Sequence, residues 1–573
     1  MSTTWDYIIC GGGTAGCVIA ARLAQKSSVL LIEAGPTKDA VPASAVPAAV
    51  SQILGTEADW NIQSEPCAEL NGRRLHLGRG KFLGGSSGCN GTLCIRGVKQ
   101  DYDDWAVPGW SGAEMFEYMK KAGSAIKIVE KFENKDWFEA DDSAHGHDGL
   151  LLTAPHDPAP ISTLVLESFQ SKGLPYEPDM FTTGSVAQGC GHAMRSIFQG
   201  VRTCSADYLR PGNKQPSIKI LTGQYVDTVG FETDSGGQLR ASEVRVIDKG
   251  GRKTTFTAHR EIVLTAGTYG SPAILLRSGV GPKEDLDALH IETVSSLPGV
   301  GKNLMDHMVM LSFYEVSRAG LTNDHLIWHT GAKEKTAQEY RTSRTGFLSQ
   351  FPFGSFAFAR LDERLQGDPL WQAASKSDDR DPMHTLKSQP HVEFWNTECY
   401  SPKYMFKDFP PDGRFAFALA TTFFSPRSRG ELKLASKDPT DNPKVQHNFL
   451  SDPLDMLVFS EGCRLANEIV LRGTGTKDIV VGSWPASHEH DKYTKREEWE
   501  GAIRERADTC YHPGGTCKMG TVEDTSAVVD PQLRVRGISG LRVADASIMP
   551  LLPSGHPQMA VFAIAEKAAD LLI

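Results

Sequence analysis

The fold is decided by a stretch near the start of the chain, where residues 7–24 read YIICGGGTAGCVIAARLA. Its first four residues are apolar and predict a buried strand, and residues 17–24 predict a helix. Between the two, Gly11, Gly13 and Gly16 have the spacing GxGxxG. A glycine turn between a strand and a helix is the setting that a dinucleotide-binding motif requires.

The glycines of this turn have separate roles, and an acidic residue completes the motif. Gly11 permits the tight turn, Gly13 lets a pyrophosphate approach the backbone, and Gly16 lets the helix pack closely. The N-terminus of the helix would offer free N–H groups to a phosphate. Glu33 follows a second predicted strand, Val29–Ile32, where a carboxylate would bind ribose hydroxyls, and this disfavours NADP. On this motif alone, FAD and NAD both stay open.

The composition is that of an ordinary globular protein, with 573 residues, 40% hydrophobic and 23% charged. A net charge of −10 gives no reason to expect nucleic acid or an anionic membrane as partner. Since no apolar run reaches the roughly 18 residues of a membrane span, no transmembrane helix is expected. Eleven cysteines, an odd and small number, do not suggest a disulfide framework. We expect a cytoplasmic protein, because neither a signal peptide nor a C-terminal peroxisomal signal is evident.

After the first motif the chain alternates between two kinds of structure. A second glycine-rich stretch, residues 77–91, suggests close approach of the backbone to a large ligand. Residues 217–266 predict several strands, and Ser271–Ser278 predicts a helix with Pro272 near its first turn. Residues 310–460 predict antiparallel strands with helices, and the end of the chain returns to a strand and a helix. One nucleotide-binding core built from distant segments, with a large insertion, fits this order.

Two histidines near the end of the chain are candidate catalytic residues. His512 and His556 lie 44 residues apart, each among Pro and Gly residues that predict loops. A histidine is a candidate general base because it titrates near neutral pH. Taken alone, the pair fits a structural role equally well. His145, His147, His488 and His490 lie in polar stretches and are predicted to be surface histidines, so no metal site is predicted.

With these features in view, the chain resembles the glucose–methanol–choline family of flavin oxidoreductases over nearly its whole length. Within that family it is similar to the alcohol-oxidase branch, and QPHVEF at 389–394 is similar to formate oxidase. The other blocks that carry the resemblance are residues 6–35, residues 78–90, DYDDW at 101–105, AGTYGSP at 266–272, SGVGP at 278–282, PGVGKNLMDH at 298–307, SPRSRG at 425–430, YHPGGTCKMG at 511–520 and VADAS at 543–547.

The resemblance implies an α/β fold with FAD as cofactor. A Rossmann-like FAD-binding domain, assembled from discontinuous segments, would be joined to an α+β substrate domain with an antiparallel sheet. The FAD-binding domain would comprise residues 1–150, 200–308 and 510–573. The substrate-binding domain would comprise residues 151–199 and 309–509.

The resemblance also implies which residues contact FAD. Cys89 matches a position where some relatives attach flavin covalently through histidine; a thioether is an option here, but a small buried cysteine packed under the flavin is favoured. The complete set comprises Gly11, Gly13, Thr14, Ala15, Gly16, Glu33 and Ala34 in the first motif; Arg79, Gly84, Ser86, Ser87, Cys89, Asn90 and Gly91 in the second glycine-rich stretch; Val226; and Asp545, Ala546, His556, Pro557 and Gln558 near the C-terminus.

The reaction that the resemblance implies is oxidation of a small alcohol to the aldehyde. His512 would take the hydroxyl proton as general base while hydride leaves for flavin N5, and His556 would donate to the substrate oxygen. Oxygen would then reoxidise the flavin and yield hydrogen peroxide. Formate oxidases carry arginine where this chain has His556, so formate is disfavoured as substrate. A primary alcohol is expected, and an aryl or allylic one fits the aromatic residues Phe351, Phe353, Phe356, Phe394, Trp395, Tyr400, Phe423 and Phe424, although most of these rings fit an ordinary sheet core as well.

Three alternatives stay open. The chain could be an alcohol dehydrogenase that uses a quinone-type acceptor. It could also be a hydroxynitrile lyase or a light-driven decarboxylase, since relatives with those activities keep the flavin. No nucleic-acid or membrane partner is expected, and the sequence leaves monomer and homodimer both open.

Overall fold

Two seven-stranded sheets organise the part of the chain that the structure describes. The structure is a computed structural model, which describes residues 4–124, 139–210, 217–233, 236–374, 379–400 and 409–573. In chain order the strands of the two sheets are β1 (Thr4–Cys10), β2 (Val29–Ile32), β3 (Gly189–Gly191), β4 (Ile218–Leu221), β5 (Gln224–Thr233), β6 (Leu239–Asp248), β7 (Lys253–Leu264), β8 (Met308–Val316), β9 (Phe353–Ala359), β10 (Val392–Thr397), β11 (Ala416–Phe423), β12 (Val480–Ser483), β13 (Asp508–Thr509) and β14 (Leu541–Val543). Short pairs are formed by Gly123–Ser124 with Leu151–Leu152, Ile197–Phe198 with Val201–Arg202, Val280–Gly281 with Ser295–Ser296, and Glu431–Lys433 with Lys444–Gln446.

The first sheet has the strand order β4–β2–β1–β7–β6–β5, and β14 pairs with the end of β7. β4, β2, β1, β7 and β14 run parallel, whereas β7, β6 and β5 form an antiparallel meander. Ile8, Ile9, Leu30 and Leu31 are completely buried, as expected for a parallel sheet covered on both faces. These strands come from distant parts of the chain, which confirms the predicted Rossmann-like sheet of discontinuous segments.

The second sheet has the order β12–β8–β11–β10–β9–β3, and β13 pairs with β8. All of its pairs are antiparallel. Its central strand β11 is buried along its whole length, because helix Pro453–Arg472 packs against it. The predicted antiparallel sheet with helices is therefore confirmed. The domain boundaries themselves stay a prediction.

The helices cover the sheets and join the two ends of the chain. Thr14–Leu23 packs against Gln558–Leu572, and an ion pair between Arg22 Nη2 and Glu566 Oε1, which are 2.7 Å apart, joins the two helices. No helix among the described residues combines the length and apolar character that a membrane span needs. In chain order the α-helices are α1 (Thr14–Leu23), α2 (Lys99–Asp103), α3 (Gly112–Ala122), α4 (Pro160–Ser171), α5 (Met180–Thr183), α6 (Gly267–Arg277), α7 (Lys283–Asp287), α8 (Asp324–Ile327), α9 (Ala332–Ser343), α10 (Asp362–Leu365), α11 (Pro369–Ala373), α12 (Pro453–Arg472), α13 (Arg496–Arg506) and α14 (Gln558–Leu572).

The start of α6 differs from the prediction made from its proline. The helix begins at Gly267, four residues earlier than expected, so Pro272 lies in its interior. Proline has no N–H, and the Thr268 carbonyl therefore lacks its usual partner four residues along. Thr516 Oγ1 donates to that carbonyl at 2.6 Å. A hydroxyl from the C-terminal part of the chain thus replaces the missing helical hydrogen bond.

Candidate active site

One large cavity, of about 390 Å³, is lined by residues of both sheets. At one end lie the glycine turn after β1 and the residues that follow β2, including Gly13 and Glu33. At the other lie His512, His556 and side chains of the antiparallel sheet such as Trp395. The topology therefore places the predicted nucleotide motif and the two candidate catalytic histidines on a single cavity.

Nearly all residues that the sequence assigns to FAD lie on this cavity. The two that do not, Gly16 and Gly84, support the walls from behind. A Cβ at Gly16 would lie 1.9 Å from the Gly11 carbonyl oxygen, and Gly84, with φ of +104°, donates its N–H to the Gly12 carbonyl at 2.7 Å. The lining residues among those assigned are Gly11, Gly13, Thr14, Ala15, Glu33, Ala34, Arg79, Ser86, Ser87, Cys89, Asn90, Gly91, Val226, Asp545, Ala546, His556, Pro557 and Gln558.

The N-terminus of α1 fits a pyrophosphate. Gly13 is its N-cap and makes no side-chain cap, and the first turn contains no acidic residue. The first N–H groups of α1 are therefore not capped by a side chain and are suited to an anion. The buried Glu33 carboxylate accepts the N–H of Gly12 and of Gly35, both at 2.8 Å. These bonds fix the carboxylate next to the glycine turn, where FAD would present its ribose, so the residues present fit FAD.

The second glycine-rich stretch is tied to the start of α14. The Asn90 side-chain amide donates to Gln558 Oε1, and Asn90 Oδ1 accepts from Arg202 Nη1 at 2.8 Å. Cys89 lies beside Asn90 on the cavity wall, and burial raises the pKa of its thiol to about 11. Since the thiolate is the reactive form of cysteine, a neutral thiol agrees with the favoured packing role of Cys89.

The backbone before His512 is held in an uncommon conformation. Tyr511 has φ of +61°, in the left-handed region that non-glycine residues rarely adopt. The Tyr511 carbonyl accepts from Arg79 Nη2 at 2.6 Å, and the His512 N–H donates to Asp306 Oδ1 at 2.8 Å. Strained backbone that is fixed on both sides is typical of functional sites. This backbone conformation at Tyr511 places the His512 ring on the cavity wall.

The His512 ring is buried and has one nitrogen in use. Its Nδ1 lies 3.0 Å from His307 Nδ1, while its Nε2 has no hydrogen-bond partner within the described ranges. Burial, followed by the charge of His556, holds the pKa of His512 well below its ordinary value. Burial likewise lowers the pKa of His307 to about 3. His512 is therefore neutral near pH 7 and can accept a proton.

His556 faces His512 with a different partner. The two ring centroids are 4.6 Å apart and the rings are nearly perpendicular, at 82°. His556 Nε2 lies 2.9 Å from Glu393 Oε2, a carboxylate on β10 with no exposed surface. The Nδ1 atom of His556 has no protein partner in the ranges that the structure describes. Two imidazoles thus share one end of the cavity, one backed by a histidine and the other by a carboxylate.

Three residues at the site, Glu393, Asp306 and His307, are not singled out by any sequence motif. Burial raises the pKa of Asp306 to about 7, and Thr509 Oγ1 donates to its Oδ2 at 2.6 Å. Asp306 and His307 end the block PGVGKNLMDH, and Glu393 lies in the formate-oxidase-like block. Their place in these blocks was the available signal. Their pairing with His512 and His556 depends on tertiary contacts that the sequence does not show.

The walls beyond the histidines are apolar and aromatic. Phe351, Phe353 and Trp395 line the cavity together with Val309 and Leu311. The ring centroids of Phe351 and Phe353 are 4.6 Å apart, and those of Phe353 and Trp395 are 4.1 Å apart. The other aromatic residues considered as substrate contacts are buried away from the cavity lining, namely Phe356, Phe394, Tyr400, Phe423 and Phe424.

The prediction of surface histidines is wrong for His145 and His490. His145 is buried, and its Nε2 lies 2.6 Å from Asp179 Oδ2. His490 is buried against the ring of Tyr314, with centroids 4.8 Å apart. Both are surrounded by polar residues in sequence, but tertiary packing covers them. Each lies apart from the cavity.

A split parallel sheet with a dinucleotide turn, joined to an antiparallel sheet that contributes to the same cavity, is an architecture suited to an oxidoreductase that binds FAD. Two family models, both described as GMC oxidoreductase, match residues 5–309 and 426–565. The chain belongs to the GMC oxidoreductase family.

Curated relatives and solved structures agree with this membership. The chain is 31% identical to an oxygen-dependent choline dehydrogenase of Vibrio vulnificus, covering 100% of this chain and 95% of the relative. It is 32% identical to a glucose dehydrogenase [FAD, quinone] of Drosophila melanogaster, covering 99% and 86%. A solved variant of Aspergillus oryzae formate oxidase superposes with a TM-score of 0.90 at 26% identity, covering 100% and 98%.

Proposed function

We propose that this chain is an alcohol oxidase, which converts a primary alcohol to the aldehyde and passes the electrons to oxygen. FAD, when bound, supplies the acceptor for the hydrogen and two electrons that leave the alcohol carbon, and its reoxidation by oxygen gives hydrogen peroxide. His512 and His556 act on the substrate hydroxyl. Membership of an FAD oxidoreductase family supports the redox chemistry, and the cavity supports the choice of an alcohol.

The observation that carries the proposal is the pair of facing imidazoles with unlike partners. His512 is neutral near pH 7 because burial lowers its pKa. When its Nδ1–H donates to His307 Nδ1, its Nε2 lone pair faces the cavity and can take the hydroxyl proton. His556, 4.6 Å away between ring centroids, then donates to the oxygen on which negative charge develops.

The cavity walls support a substrate with an apolar or aromatic body. Phe351, Phe353 and Trp395 would contact an aryl or allylic group next to the reacting carbon. A carboxylate substrate is disfavoured, because this chain has His556 where formate oxidases carry arginine. We therefore propose aryl or allylic primary alcohols as the substrate class.

One alternative has a specific observation in its favour. The Drosophila relative is named for a quinone acceptor and is 32% identical to this chain. A dehydrogenase would use the same proton chemistry at His512 and differ only in what takes the electrons. The acceptor is therefore tested separately from the alcohol.

An anaerobic titration of the purified holoenzyme tests both parts. Alcohols of graded size and aromaticity are added under nitrogen while the visible flavin band is recorded, and air is then admitted. Bleaching by benzylic or allylic alcohols, with rapid return of colour in air, is the expected result. Bleaching with slow return would favour the quinone-dependent dehydrogenase, and a band that no alcohol bleaches would contradict alcohol oxidation.

A further inference from the structure

A cysteine lies beside the two facing histidines. Cys510 lines the same cavity as His512 and His556, and its Sγ and one ring nitrogen of each histidine all lie within 4.8 Å of one another. Cysteine sulfur and imidazole nitrogen are the ligand types that zinc prefers in proteins. The three residues therefore have the chemistry of a metal site.

Cys510 is placed by the backbone that also places His512. It follows β13 directly, and its N–H donates to the His307 carbonyl at 2.8 Å. All eleven cysteines lie in the described ranges, and only Cys510 is partly exposed while the others are buried. Since Cys510 also lines the cavity, its sulfur can be reached by an ion that enters there.

The spacing of the three ligand atoms fits a tetrahedral ion. Zinc lies about 2.0–2.1 Å from an imidazole nitrogen and about 2.3 Å from sulfur, so its tetrahedral ligands are about 3.3–3.7 Å from one another. The three atoms of this cluster are at most 4.8 Å apart, and each pair has to approach by no more than about 1.5 Å to reach that spacing. Small rotations of side chains that face a cavity supply this movement. A fourth position is left for water, as in zinc sites with three protein ligands.

One nitrogen of each ring already has a partner behind the cavity wall. His512 Nδ1 lies 3.0 Å from His307 Nδ1, and His556 Nε2 lies 2.9 Å from Glu393 Oε2. These contacts leave His512 Nε2 and His556 Nδ1 as the nitrogens that can coordinate an ion. Histidines that bind metals almost always have a hydrogen-bond partner on the second nitrogen, which fixes the orientation of the ring. Both rings are held in that way.

One positive charge near the cluster opposes a bound cation. The guanidinium of Arg79 acts on His512, and its Nη2 donates to the Tyr511 carbonyl at 2.6 Å. When zinc binds, it replaces the thiol proton of Cys510, and that proton is released to solvent. The negative charge of the thiolate is then in direct contact with the metal. It outweighs the guanidinium, because the interaction of two charges weakens with their distance.

A second cluster of ligand atoms in the molecule differs in an instructive way. Asp362, Asp381 and His391 also bring three ligand atoms within 4.8 Å of one another. There, Arg360 Nη2 supplies a positive charge, 2.6 Å from Asp362 Oδ1 and 2.7 Å from Asp381 Oδ2. That cluster is neutralised by an arginine and does not line the cavity. The Cys510 cluster opens on the cavity and combines sulfur with nitrogen.

We propose that Cys510, His512 and His556 form an inhibitory zinc site at the substrate end of the cavity. A zinc ion bound there occupies the ring nitrogens that would otherwise accept the hydroxyl proton and donate to the alcohol oxygen. Zinc and the alcohol therefore compete for the same end of the cavity. The inhibition rests on the proposed function, whereas the zinc site itself does not.

The first test measures zinc binding to the holoenzyme and needs no turnover. Calorimetric titration of Zn²⁺ into the wild type should show saturable binding of one ion per chain. Cys510→Ala should weaken this binding by at least ~10-fold, because even the outer partners of metal-binding histidines are worth that much. If the wild type binds no zinc saturably, or Cys510→Ala binds it as tightly, the proposal is wrong and any zinc taken up is adventitious.

A matched cysteine lies on the same segment of the chain. Cys517 is completely buried and does not line the cavity. Cys517→Ala removes the same sulfur atom from a nearby position and should leave zinc binding unchanged. An equal loss of zinc binding in Cys517→Ala and Cys510→Ala would mean that the loss reflects damage to this segment, and it would contradict the assignment of Cys510 as a ligand.

Alkylation of the wild type tests the sulfur ligand without any substitution. Iodoacetamide should modify Cys510 before the buried cysteines of the folded holoenzyme, and mass spectrometry of its peptides gives the rate. Zn²⁺ at about ten times its measured Kd should slow this modification about 10-fold, in proportion to the sites left unoccupied. Chelation with EDTA should restore the rate. A modification rate that zinc does not change would show that the sulfur of Cys510 is not a ligand.

The inhibition is measured separately, with the alcohol that bleaches the flavin fastest. Zinc should raise the apparent KM for the alcohol and leave kcat at saturating alcohol unchanged. Cys510→Ala should need at least ~10-fold more zinc for the same rise, the factor expected for its binding. Zinc that binds at Cys510 without raising KM would overturn the inhibitory role.

Failure of the proposed function would be recognised from the same measurements. If no alcohol bleaches the flavin but zinc binding and alkylation depend on Cys510 as described, the zinc site stands and only the reaction is misassigned. If alcohols bleach the flavin and zinc neither binds at Cys510 nor raises KM, the reaction stands and the zinc site is wrong.

Discussion

Two buried pairs of glutamate and histidine lie near opposite ends of β10, and they differ in what surrounds them. Glu393–His556 and Glu398–His156 both have oxygen–nitrogen distances of 2.9 Å. In the second pair, Glu398 uses both oxygens: Oε2 contacts His156, and Oε1 accepts from the Ala159 N–H and Ser162 Oγ at the start of α4, each at 2.8 Å. In the first pair, one oxygen of Glu393 has no partner among the described residues.

The same chemical pair therefore serves two purposes in this molecule. Burial would raise the pKa of Glu398, but the positive charge and hydrogen bond of His156 outweigh it and lower that pKa. The pair holds α4 against the sheet and lies apart from the cavity. His556 instead lines the cavity and faces a second imidazole, His512. A satisfied, enclosed pair is structural, whereas a pair that presents an imidazole nitrogen to a cavity can act on a ligand.

The largest expected effect comes from removing the proposed base. His512→Ala should retain FAD, because the ring does not support the glycine turn, and should lower kcat by at least ~100-fold, the lower end of the range for general acid–base catalysis. Stopped-flow measurement of flavin reduction by the best alcohol gives the rate. His156→Gln, which changes the enclosed pair and keeps a hydrogen-bonding side chain, should reduce flavin at close to the wild-type rate. Equal rates for His512→Ala and wild type would remove the base assignment.

Removing the enclosed carboxylate should cost stability rather than rate. Glu398→Ala leaves His156, the Ala159 N–H and Ser162 Oγ without their acceptor in the core. Breaking a buried ion pair by removing one partner typically costs about 3–5 kcal/mol. Urea unfolding should show this loss, while kcat per bound FAD stays near wild type. A large fall in kcat with unchanged stability would reverse the distinction between the two pairs.

The histidine behind the base should have an intermediate effect. His307→Leu removes the partner of His512 Nδ1 and so frees its ring to change tautomer and orientation. Partners that orient metal-ligating histidines are worth about 10- to 100-fold in activity, and we expect a loss of that order here. Flavin-reduction rates in the loaded variant check this, and His307→Asn, which keeps a polar side chain, should recover part of the loss. Full activity in His307→Leu would show that the Nδ1 contact is dispensable.

The parts of the molecule that could be predicted from sequence are those whose causes are local. The strand, glycine turn and helix over residues 4–23 follow from apolar runs and glycine spacing within twenty residues of one another. His512 and His556 could be singled out because each lies in a stiff loop of Pro and Gly. The start of α6 could not be placed, because the hydroxyl that satisfies the Thr268 carbonyl comes from Thr516, distant in sequence.

The partners of the two proposed catalytic histidines could not be predicted for the same reason. Glu393 is 163 positions from His556, and His307 is 205 positions from His512. Only the pairing of β10 and β8 through β11 brings these residues to one end of the cavity. The polar sequence neighbours of His145 predict an exposed side chain, yet His145 is buried and contacts Asp179. Local polarity reports the neighbours of a residue in sequence and not its neighbours in space.

The smallest expected effect is the pH dependence of stability. Burial lowers the pKa of His192, His307, His447 and His490 to about 3, below the ordinary value of 6.5. Above pH 6.5 these groups are neutral in both the folded and the unfolded chain, so they do not change the free energy of unfolding with pH. As the pH falls below 6.5, the unfolded chain binds protons that the folded chain does not, so the free energy of unfolding falls.

Thermal melts of the holoenzyme at pH 7.5 and pH 5.5 check this, with a lower Tm expected at pH 5.5. His490 is buried against Tyr314 and does not line the cavity, so its replacement can be compared directly with that of His156. His490→Gln should flatten the dependence, because it removes one group that must stay neutral in the folded state. His156→Gln is the matched variant, because His156 is also buried but contacts the Glu398 carboxylate at 2.9 Å, and its melts should keep the wild-type pH dependence. If both variants reduce the pH dependence of Tm equally, a carboxylate partner does not distinguish these histidines. The two glutamate–histidine pairs would then differ only in whether they line the cavity.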